Sequence, residues 1–278
     1  MGSESELMDS YPKQTSIQNL KSFFTNLFEN RTLLRNFVAR DFKNTYHGHF
    51  LGYVWSMLEP LILTGIFYVM LIILRNDPDN LVPLKIMLGI LVYSAFSKTL
   101  SASTVSFTRN SSLITQIYFP RELIITSIAG FQSVRLFLSL LIIIPYLIYA
   151  SISPNILILL LPLSALFSIM LGKGLGMIFV IIHVRFRDLE QMVILALRAG
   201  FYMSGVFFSA DIIPKEYLDM YFWNPVAVLI ETARAGVLGD MGVLEIYHIR
   251  NAIIISCLVY LLGILIFKRY ERKAVLYL

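Results

Sequence analysis

Charged side chains are scarce in this 278-residue sequence, and their scarcity decides the class of protein. Asp, Glu, Lys and Arg make up 15% of the residues, whereas a soluble globular domain carries about 25%. Apolar residues make up 57%. The composition therefore excludes an ordinary soluble domain and predicts an integral membrane protein whose main solvent is the bilayer.

Cysteine, histidine and nucleotide-binding patterns are also poorly represented. Cys257 is the single cysteine, which excludes an intrachain disulfide and a thiolate metal site. Four histidines offer no ligand spacing beyond the pair at 47 and 49, so we predict no metal site. The phosphate-binding pattern G-x-x-x-x-G-K-[ST] is absent, and the glycines at 172, 174 and 176 are better explained by close helix packing. We predict no enzyme active site and no cofactor in this chain.

The net charge of +5 is modest. In a chain this apolar, Lys and Arg are expected at the cytoplasmic membrane face rather than on nucleic acid. We therefore predict contacts with membrane lipids and none with nucleic acid.

The N-terminal region divides into a polar segment and two helices. Residues 1–16 lack the order of a cleavable signal peptide and are predicted to be disordered. From Ile17 to Phe28, apolar residues recur at steps of three and four, which indicates an amphipathic helix at the membrane interface; packing on a partner protein is the alternative. A basic helix follows over Thr32–Asn44, so 17–46 forms a cytoplasmic region ahead of a transmembrane domain over 47–278.

Six segments are long enough to span the hydrocarbon layer, which takes about 20 apolar residues. They lie at about 51–74, 84–107, 122–150, 155–182, 189–208 and 247–267. Most Lys and Arg outside these spans lie on the side of the two termini, which predicts that both termini are cytoplasmic. The connection before the last span is too apolar for a free loop, and we predict two short re-entrant helices within about 209–240, with an ordinary extracellular cap as the alternative.

Four charged residues lie within the spans at a similar depth, about 15 Å from the cytoplasmic end. They are Glu59, Lys98, Lys173 and Arg198. Intramembrane charges usually face a polar interior, so these residues suggest a belt that handles anions; neutralisation of each by a neighbouring helix is the alternative. Glu59 and Lys98 lie on consecutive antiparallel spans, and we predict that they contact each other. Arg135 lies near the middle of the third span.

Four motifs stand in order along the chain. The first motif, Tyr46-x-Gly48-x-x-Leu51-Gly52-Tyr53-x-Trp55-Ser56 with Pro60, opens the first span. The other three are Asn110-x-x-Leu113-Ile114 with Phe119-Pro120-Arg121-Glu122, then Arg185-Phe186-Arg187-Asp188-Leu189-Glu190, then Ile213-Pro214 with Asn224-Pro225. In their order and separations these four motifs resemble those of ABC-2 type permeases that export lipid-linked polysaccharides such as O-antigen, capsule and teichoic acid. The resemblance extends from about Arg31 to the C-terminus.

This resemblance implies the membrane subunit of an exporter in the plasma (inner) membrane. It implies a homodimer of this chain, a partner dimer of ABC ATPases that holds the ATP and Mg²⁺, and a lipid-linked glycan as the substrate. It also implies roles for particular residues. The lipid pyrophosphate would enter at Arg35, Arg40, Lys43 and Tyr46. The channel would be lined from the set Tyr53, Trp55, Glu59, Phe67, Tyr68, Lys98, Lys173 and Arg198. Coupling to the ATPase would use Arg109, Asn110, Leu113, Tyr118, Phe119, Arg121 and Glu122. The gate would comprise Pro214, Asn224, Pro225, Glu231 and Arg234.

Three other functions are compatible with parts of the sequence. An ion-coupled secondary carrier would also contain intramembrane charges, but it should show internal repeats, which we do not find. A membrane-embedded glycosyl or phosphate transferase would need acidic or histidine residues gathered at one membrane face. An ABC-2 permease for a lipid or a small-molecule drug is the nearest alternative. The stretch 204–208 lacks a proline frequent in O-antigen permeases, and Glu59 replaces a usually neutral residue, so the polysaccharide stays open.

Overall fold

The computed structural model describes residues 16–48, 51–75, 81–152 and 155–278. Within those ranges the regular secondary structure is helical and contains no strand. The helices are α1 Ser16–Glu29, α2 Arg31–Tyr46, α3 Trp55–Arg75, α4 Val82–Thr104, α5 Ser106–Arg109, α6 Ser111–Gln116, α7 Glu122–Leu140, α8 Ile143–Tyr149, α9 Leu160–His183, α10 Leu189–Met203, α11 Lys215–Phe222, α12 Pro225–Leu238 and α13 Ile246–Val275. Short 3-10 turns at Gly52–Val54, Ile156–Leu159 and Ala210–Ile212 precede α3, α9 and α11.

Five stretches of the described residues are long and apolar enough to cross a membrane. They are Gly52–Ile73, Val82–Thr104, Glu122–Tyr149, Ile156–His183 and Ile246–Val275. These five agree closely with the first four predicted spans and the last one, except that the last helix continues well beyond residue 267. An all-helical membrane protein is therefore confirmed. The predicted disorder concerned residues that lie outside the described ranges, apart from Ser16, which begins α1.

The remaining predicted span, 189–208, is shorter in the structure. Helix α10 contains 15 residues, which corresponds to about 22 Å against a hydrocarbon layer of about 30 Å. The chain leaves the helix at Ser204, and Gly205 then adopts a positive φ of 65°. The predicted helix end at 208 is wrong because the carbonyls of this turn are held by a distant arginine, described below. A sixth span stays a prediction.

Glycines bring α9 close to its neighbours at the centre of the bundle. A Cβ atom on Gly172 would lie 2.6 Å from the Phe96 carbonyl oxygen of α4, and one on Gly174 would lie 2.7 Å from the Tyr260 Cα atom of α13. Only a residue without a side chain permits this backbone approach. The interpretation of this glycine cluster as a packing device is therefore confirmed.

Helix α12 lies inside the bundle, packed on α4, α9 and α13. Every residue from Val226 to Val237 is buried. Asn224 caps the helix, since its side-chain oxygen accepts the Val226 N–H, and Gly239 ends it with φ 75°. Helices α11 and α12 coincide with the two short helices predicted between 209 and 240; their re-entrant course stays a prediction.

Helix α1 divides its apolar face between the bundle and the surroundings. Phe23 is fully buried, with its ring 6.5 Å from that of Tyr260 on α13. Ile17, Phe24 and Phe28 lie on the neighbouring arc of the helix and are exposed. One half of the face thus docks on the chain itself, and the other half is free to contact lipid headgroups. The interfacial location stays a prediction.

We predict that Gly263→Ala destabilises the bundle. A Cβ atom there would meet backbone atoms of Gly174, which cannot rotate away, so we expect a loss of about 1–3 kcal/mol, measured as a lower melting temperature of the purified protein. Gly65→Ala on α3 is the matched control, because nothing lies within 4 Å of the position that its Cβ atom would take. Equal melting temperatures for the two variants would contradict the close contact.

Candidate functional site

A cavity of about 690 Å³ lies between α3, α4, α7 and α10. Apolar side chains and serine hydroxyls form most of its wall. The charged residues that the structure describes on that wall are one acid, Glu59, and four cations, Lys98, Arg109, Arg135 and Arg198. The cavity therefore has a net positive lining, which suits an anionic ligand, and three of the four helices around it are long and apolar enough to span a membrane.

Glu59 joins two of these cations. Its Oε1 atom lies 2.6 Å from the Lys98 Nζ atom, and its Oε2 atom lies 2.5 Å from an Nη atom of Arg135. The Glu59 side chain is 44% exposed, that of Lys98 30% and that of Arg135 17%, so the cluster opens into the cavity. The predicted contact between Glu59 and Lys98 is confirmed.

Pro60 explains how α3 and α7 are aligned for this cluster. A proline has no N–H, so the carbonyl of residue 56, one turn earlier, loses its helical hydrogen bond. The hydroxyl of Ser139 on α7 donates to that Ser56 carbonyl at 2.8 Å. Because Ser139 and Arg135 are four residues apart on one helix face, the same alignment directs Arg135 towards Glu59.

Helix α10 contributes Arg198, and Tyr93 of α4 fixes its position. The Tyr93 hydroxyl donates a hydrogen bond to the Leu197 carbonyl, and Gly200 leaves room for this hydroxyl. The Arg198 side chain is exposed on the cavity wall. No hydrogen bond or ion pair holds its guanidinium within the part of the chain that the structure describes.

The aromatic channel candidates separate into two groups. Phe67 lines the cavity, with its ring stacked 5.8 Å from that of Phe207. Tyr53 and Trp55 are exposed, and Tyr68 packs against the apolar core; none of these three is among the described lining residues.

Lys173 also lies away from this cavity. It is buried between α9, α13 and α1, where its Nζ atom donates to the Tyr260 hydroxyl at 3.2 Å and lies 5.4 Å from the Phe23 ring centre. The structure therefore separates it from Lys98 and Arg198, with which it was expected to share a belt. The similar depth of these residues along their spans did not indicate which face of its helix each residue lies on.

The expected substrate-entry residues differ in accessibility. Arg35 and Lys43 are exposed on α2, and Arg40 pairs with Asp41 at 3.0 Å. Tyr46 is instead buried among aromatic rings, 5.1 Å from the ring of Tyr53. Tyr46 thus packs α2 against the bundle, and its ring is not presented to a ligand.

The expected coupling residues are also spread over different environments. Tyr118 is 96% exposed, whereas Phe119 packs against Phe37 of α2. Glu122 is buried, and its carboxylate accepts hydrogen bonds from Asn26 at 2.8 Å and Lys268 at 2.5 Å. Glu122 therefore joins α1, α7 and α13. It lies beneath the surface on which the contact with the ATPase was expected. Asn110 donates to the Ser106 carbonyl, Leu113 and Arg121 are partly exposed, and Arg109 reaches the cavity.

Arg234 organises the expected gate region. Its guanidinium donates to the carbonyls of Gly205, Val206, Phe208 and Lys85 at 2.7–3.0 Å. It also pairs with Glu231 at 2.7 Å, and both side chains are buried, at 3% and 8% exposure.

Two further contacts close this network. The Glu231 carboxylate accepts the Ala210 N–H at 2.9 Å, and the Asn224 amide donates to the Ser204 hydroxyl at 2.9 Å. Burial raises the pKa of Tyr221, so its hydroxyl stays protonated 3.4 Å from the Glu231 carboxylate. Pro214 lies exposed ahead of α11, and Pro225 begins α12.

Sequence reasoning did not assign Arg135 and Ser139 to the site. Arg135 was visible as an intramembrane charge, and that signal could have identified it. Ser139 offered no comparable signal, since a serine in a membrane helix most often bonds within its own helix.

Known proteins resemble the chain over most of its length. The model of the family described as ABC-2 type transporter matches residues 32–238. An O-antigen export system permease protein RfbA of Klebsiella pneumoniae is 26% identical over 243 residues, which cover 87% of this chain and 93% of that protein. The polysialic acid transport protein KpsM of Escherichia coli is 29% identical over 210 residues, covering 72% and 78%.

We predict that Glu59 and Lys98 are energetically coupled. Glu59→Gln leaves two cations without their acid, whereas Lys98→Met leaves the Glu59–Arg135 pair, so the first variant should be the less stable. The double variant should lose less than the sum of the single losses, by about 0.5–3 kcal/mol. The check is thermal unfolding of all three variants in detergent, with Lys215→Met as an exposed control. Additive losses would show that the side chains act separately.

We predict that Arg234→Lys destabilises the protein although it keeps the charge. A lysine ammonium has three donors and lacks the planar fork, so it cannot reach all four carbonyls and Glu231 together. We expect a loss of about 3 kcal/mol, because buried carbonyls left without a donor cost about 1–3 kcal/mol each. Melting temperature and resistance to trypsin provide the measurements. The exposed Arg250→Lys is the control, and a loss no larger than that of the control would contradict this role for Arg234.

Proposed function

Since the chain belongs to the ABC-2 type transporter family, we propose that it is the transmembrane subunit of an ATP-binding-cassette exporter for a lipid-linked polysaccharide. The substrate would move from the cytoplasmic to the outer face of the plasma membrane, with O-antigen, capsule and teichoic acid as the candidate polymers. The observation that carries this proposal is the open cavity whose described wall has four cations and one acid. Such a wall suits the phosphate groups that join a glycan to its lipid.

The relatives support the polysaccharide branch of the family. Their names describe an O-antigen export permease and a polysialic acid transport protein, and both alignments cover more than two thirds of this chain. Exposed Arg35 and Lys43, with Arg40 beside them, would receive the lipid pyrophosphate at the cytoplasmic surface. Phe67 on the cavity wall offers a ring face on which a sugar can slide.

The chain needs partners for this function. We infer a cytoplasmic ABC ATPase dimer, because the sequence contains no phosphate-binding loop of its own. Residues 109–121, which include the fully projecting Tyr118, are the proposed contact. This arrangement requires both termini in the cytoplasm and places α11 and α12 at the outer end, where they would form the gate.

A second copy of the chain would complete the pathway. Apolar side chains on α3 and α10 are exposed beside the cavity, among them Ile66, Ile73, Leu195 and Met203. Lipid or another permease subunit must cover them, because exposed apolar patches of this kind are unfavourable in water. We propose that a homodimer encloses the cavity as a channel and that α10, with the segment after it, completes the sixth span.

We predict that the chain hydrolyses no ATP alone and exports substrate only with its ATPase partner. The test places the purified chain, with and without an ABC ATPase that co-purifies with it, in vesicles loaded with a lipid-linked glycan. It measures phosphate release and the appearance of glycan on the opposite face. A partner carrying an inactivated nucleotide site is the matched control. ATP turnover by the chain alone, or glycan movement without ATP, would overturn the proposal.

A further inference from the structure

The two charged clusters in this protein are built differently. The Glu231–Arg234 pair is closed, since its side chains are at most 8% exposed and the guanidinium also binds four backbone carbonyls. The Glu59 cluster is open to the cavity, with exposures of 17–44%. In the buried pair the protein itself satisfies the donors and acceptors, whereas the partly exposed cluster remains accessible to a ligand.

The cations of the open cluster depend on one acid. Within the described part of the chain, the Lys98 ammonium and the Arg135 guanidinium have Glu59 as their sole hydrogen-bond partner, one on each carboxylate oxygen. Removing that carboxylate leaves two donors facing the cavity. Another anion with two oxygens at similar spacing could replace it, because Arg and Lys bind carboxylates and phosphates through the same type of charge-assisted hydrogen bond.

Arg198 adds a further cation to the same wall without an acid of its own. Its guanidinium has no described hydrogen-bond partner, while Tyr93 fixes the adjoining backbone. A ligand phosphate at the cluster would therefore find Arg198 unpaired, in addition to Arg109 on the same wall. Glu59 lowers the positive charge of the wall and so limits how tightly an anion is held. A transport pathway requires this limit because the substrate has to be released.

We propose that Glu59, Lys98 and Arg135 form an exchangeable anion site for the pyrophosphate of a lipid-linked substrate. The pyrophosphate displaces Glu59 from both cations, Arg198 contacts its remaining charge, and Glu59 pairs with the cations again when the substrate leaves. This inference rests on the proposed function. It assigns pyrophosphate binding to the middle of the pathway, where the surface residues of α2 cannot perform it.

The experiment measures binding of inorganic pyrophosphate to the purified full chain in maltoside detergent, by calorimetry at low salt. Glu59→Gln removes the competing carboxylate and should tighten binding at least about fivefold, the effect of one charge at 4 Å in a water-like medium. Arg198→Met should weaken binding by a similar factor, and it leaves the Glu59 cluster intact if Glu59→Gln fails to fold. Glu216→Gln and Lys215→Met, both exposed and outside the cavity, should bind like the unmodified chain.

Competition identifies the source of the phosphate. Polyprenyl pyrophosphate should displace the inorganic probe from the unmodified chain at lower concentration than phosphatidylglycerol does. Equal potency would assign the site to membrane headgroups and overturn the proposal. Unchanged affinity in both Glu59→Gln and Arg198→Met, or in Arg198→Met when the first variant does not fold, would also overturn it.

The outcome is independent of the test of function. If ATP-dependent export occurs but the affinity for pyrophosphate does not depend on these residues, the proposed exchange site is wrong and the proposed export function is supported. If the residues govern binding but no ATPase supports export, the site stands as an anion site and the exporter is wrong.

Discussion

The missing N–H of Pro60 is the constraint on which the charged cavity depends. It leaves the Ser56 carbonyl without a helical partner, and Ser139 of α7 supplies a donor at 2.8 Å. This hydrogen bond joins α7 to α3, and the same hydroxyl lies 3.0 Å from the Arg135 carbonyl of its own helix. Arg135 lies one helical turn from this junction and faces Glu59. A residue that usually weakens a helix here specifies how two helices meet.

Two anchors along α10 and the turn after it show why the cavity wall and the expected gate belong to one structural unit. Tyr93 of α4 holds the middle of the helix beside Arg198, and Arg234 of α12 holds the backbone that follows its last turn. Both anchors are hydrogen bonds from side chains of buried helices to main-chain carbonyls. These hydrogen bonds position the short helix together with its own apolar face, on which Val193 is buried in the core and Phe201 packs against it.

Much of the helical framework could be predicted from sequence, because apolar runs and their periodicity reflect the length of a helix and the solvent around it. The contact of Glu59 with Lys98 followed from depth alone, since two antiparallel spans with a short turn bring equal depths together. Rotation about the helix axis could not be predicted. Lys173 has a similar depth but faces Tyr260. Arg135 contacts Glu59 directly, beside a serine contact between the two helices that no sequence pattern indicates. Similarly, Tyr46 is buried by ring contacts formed between separate elements.

Arg234 holds the turn after α10 by its backbone, so these contacts do not depend on which side chains the turn has. The arginine binds the carbonyls of Gly205, Val206 and Phe208, and every amino acid, proline included, has that oxygen. A turn secured through its carbonyls depends less on its side chains, but three positions stay restricted: Ser204 accepts from Asn224, Gly205 has a positive φ with the Tyr221 hydroxyl in the space that a Cβ atom would take, and Val206 is fully buried. The side chains at 207 and 208 can accordingly change while the carbonyls that the arginine binds keep their places.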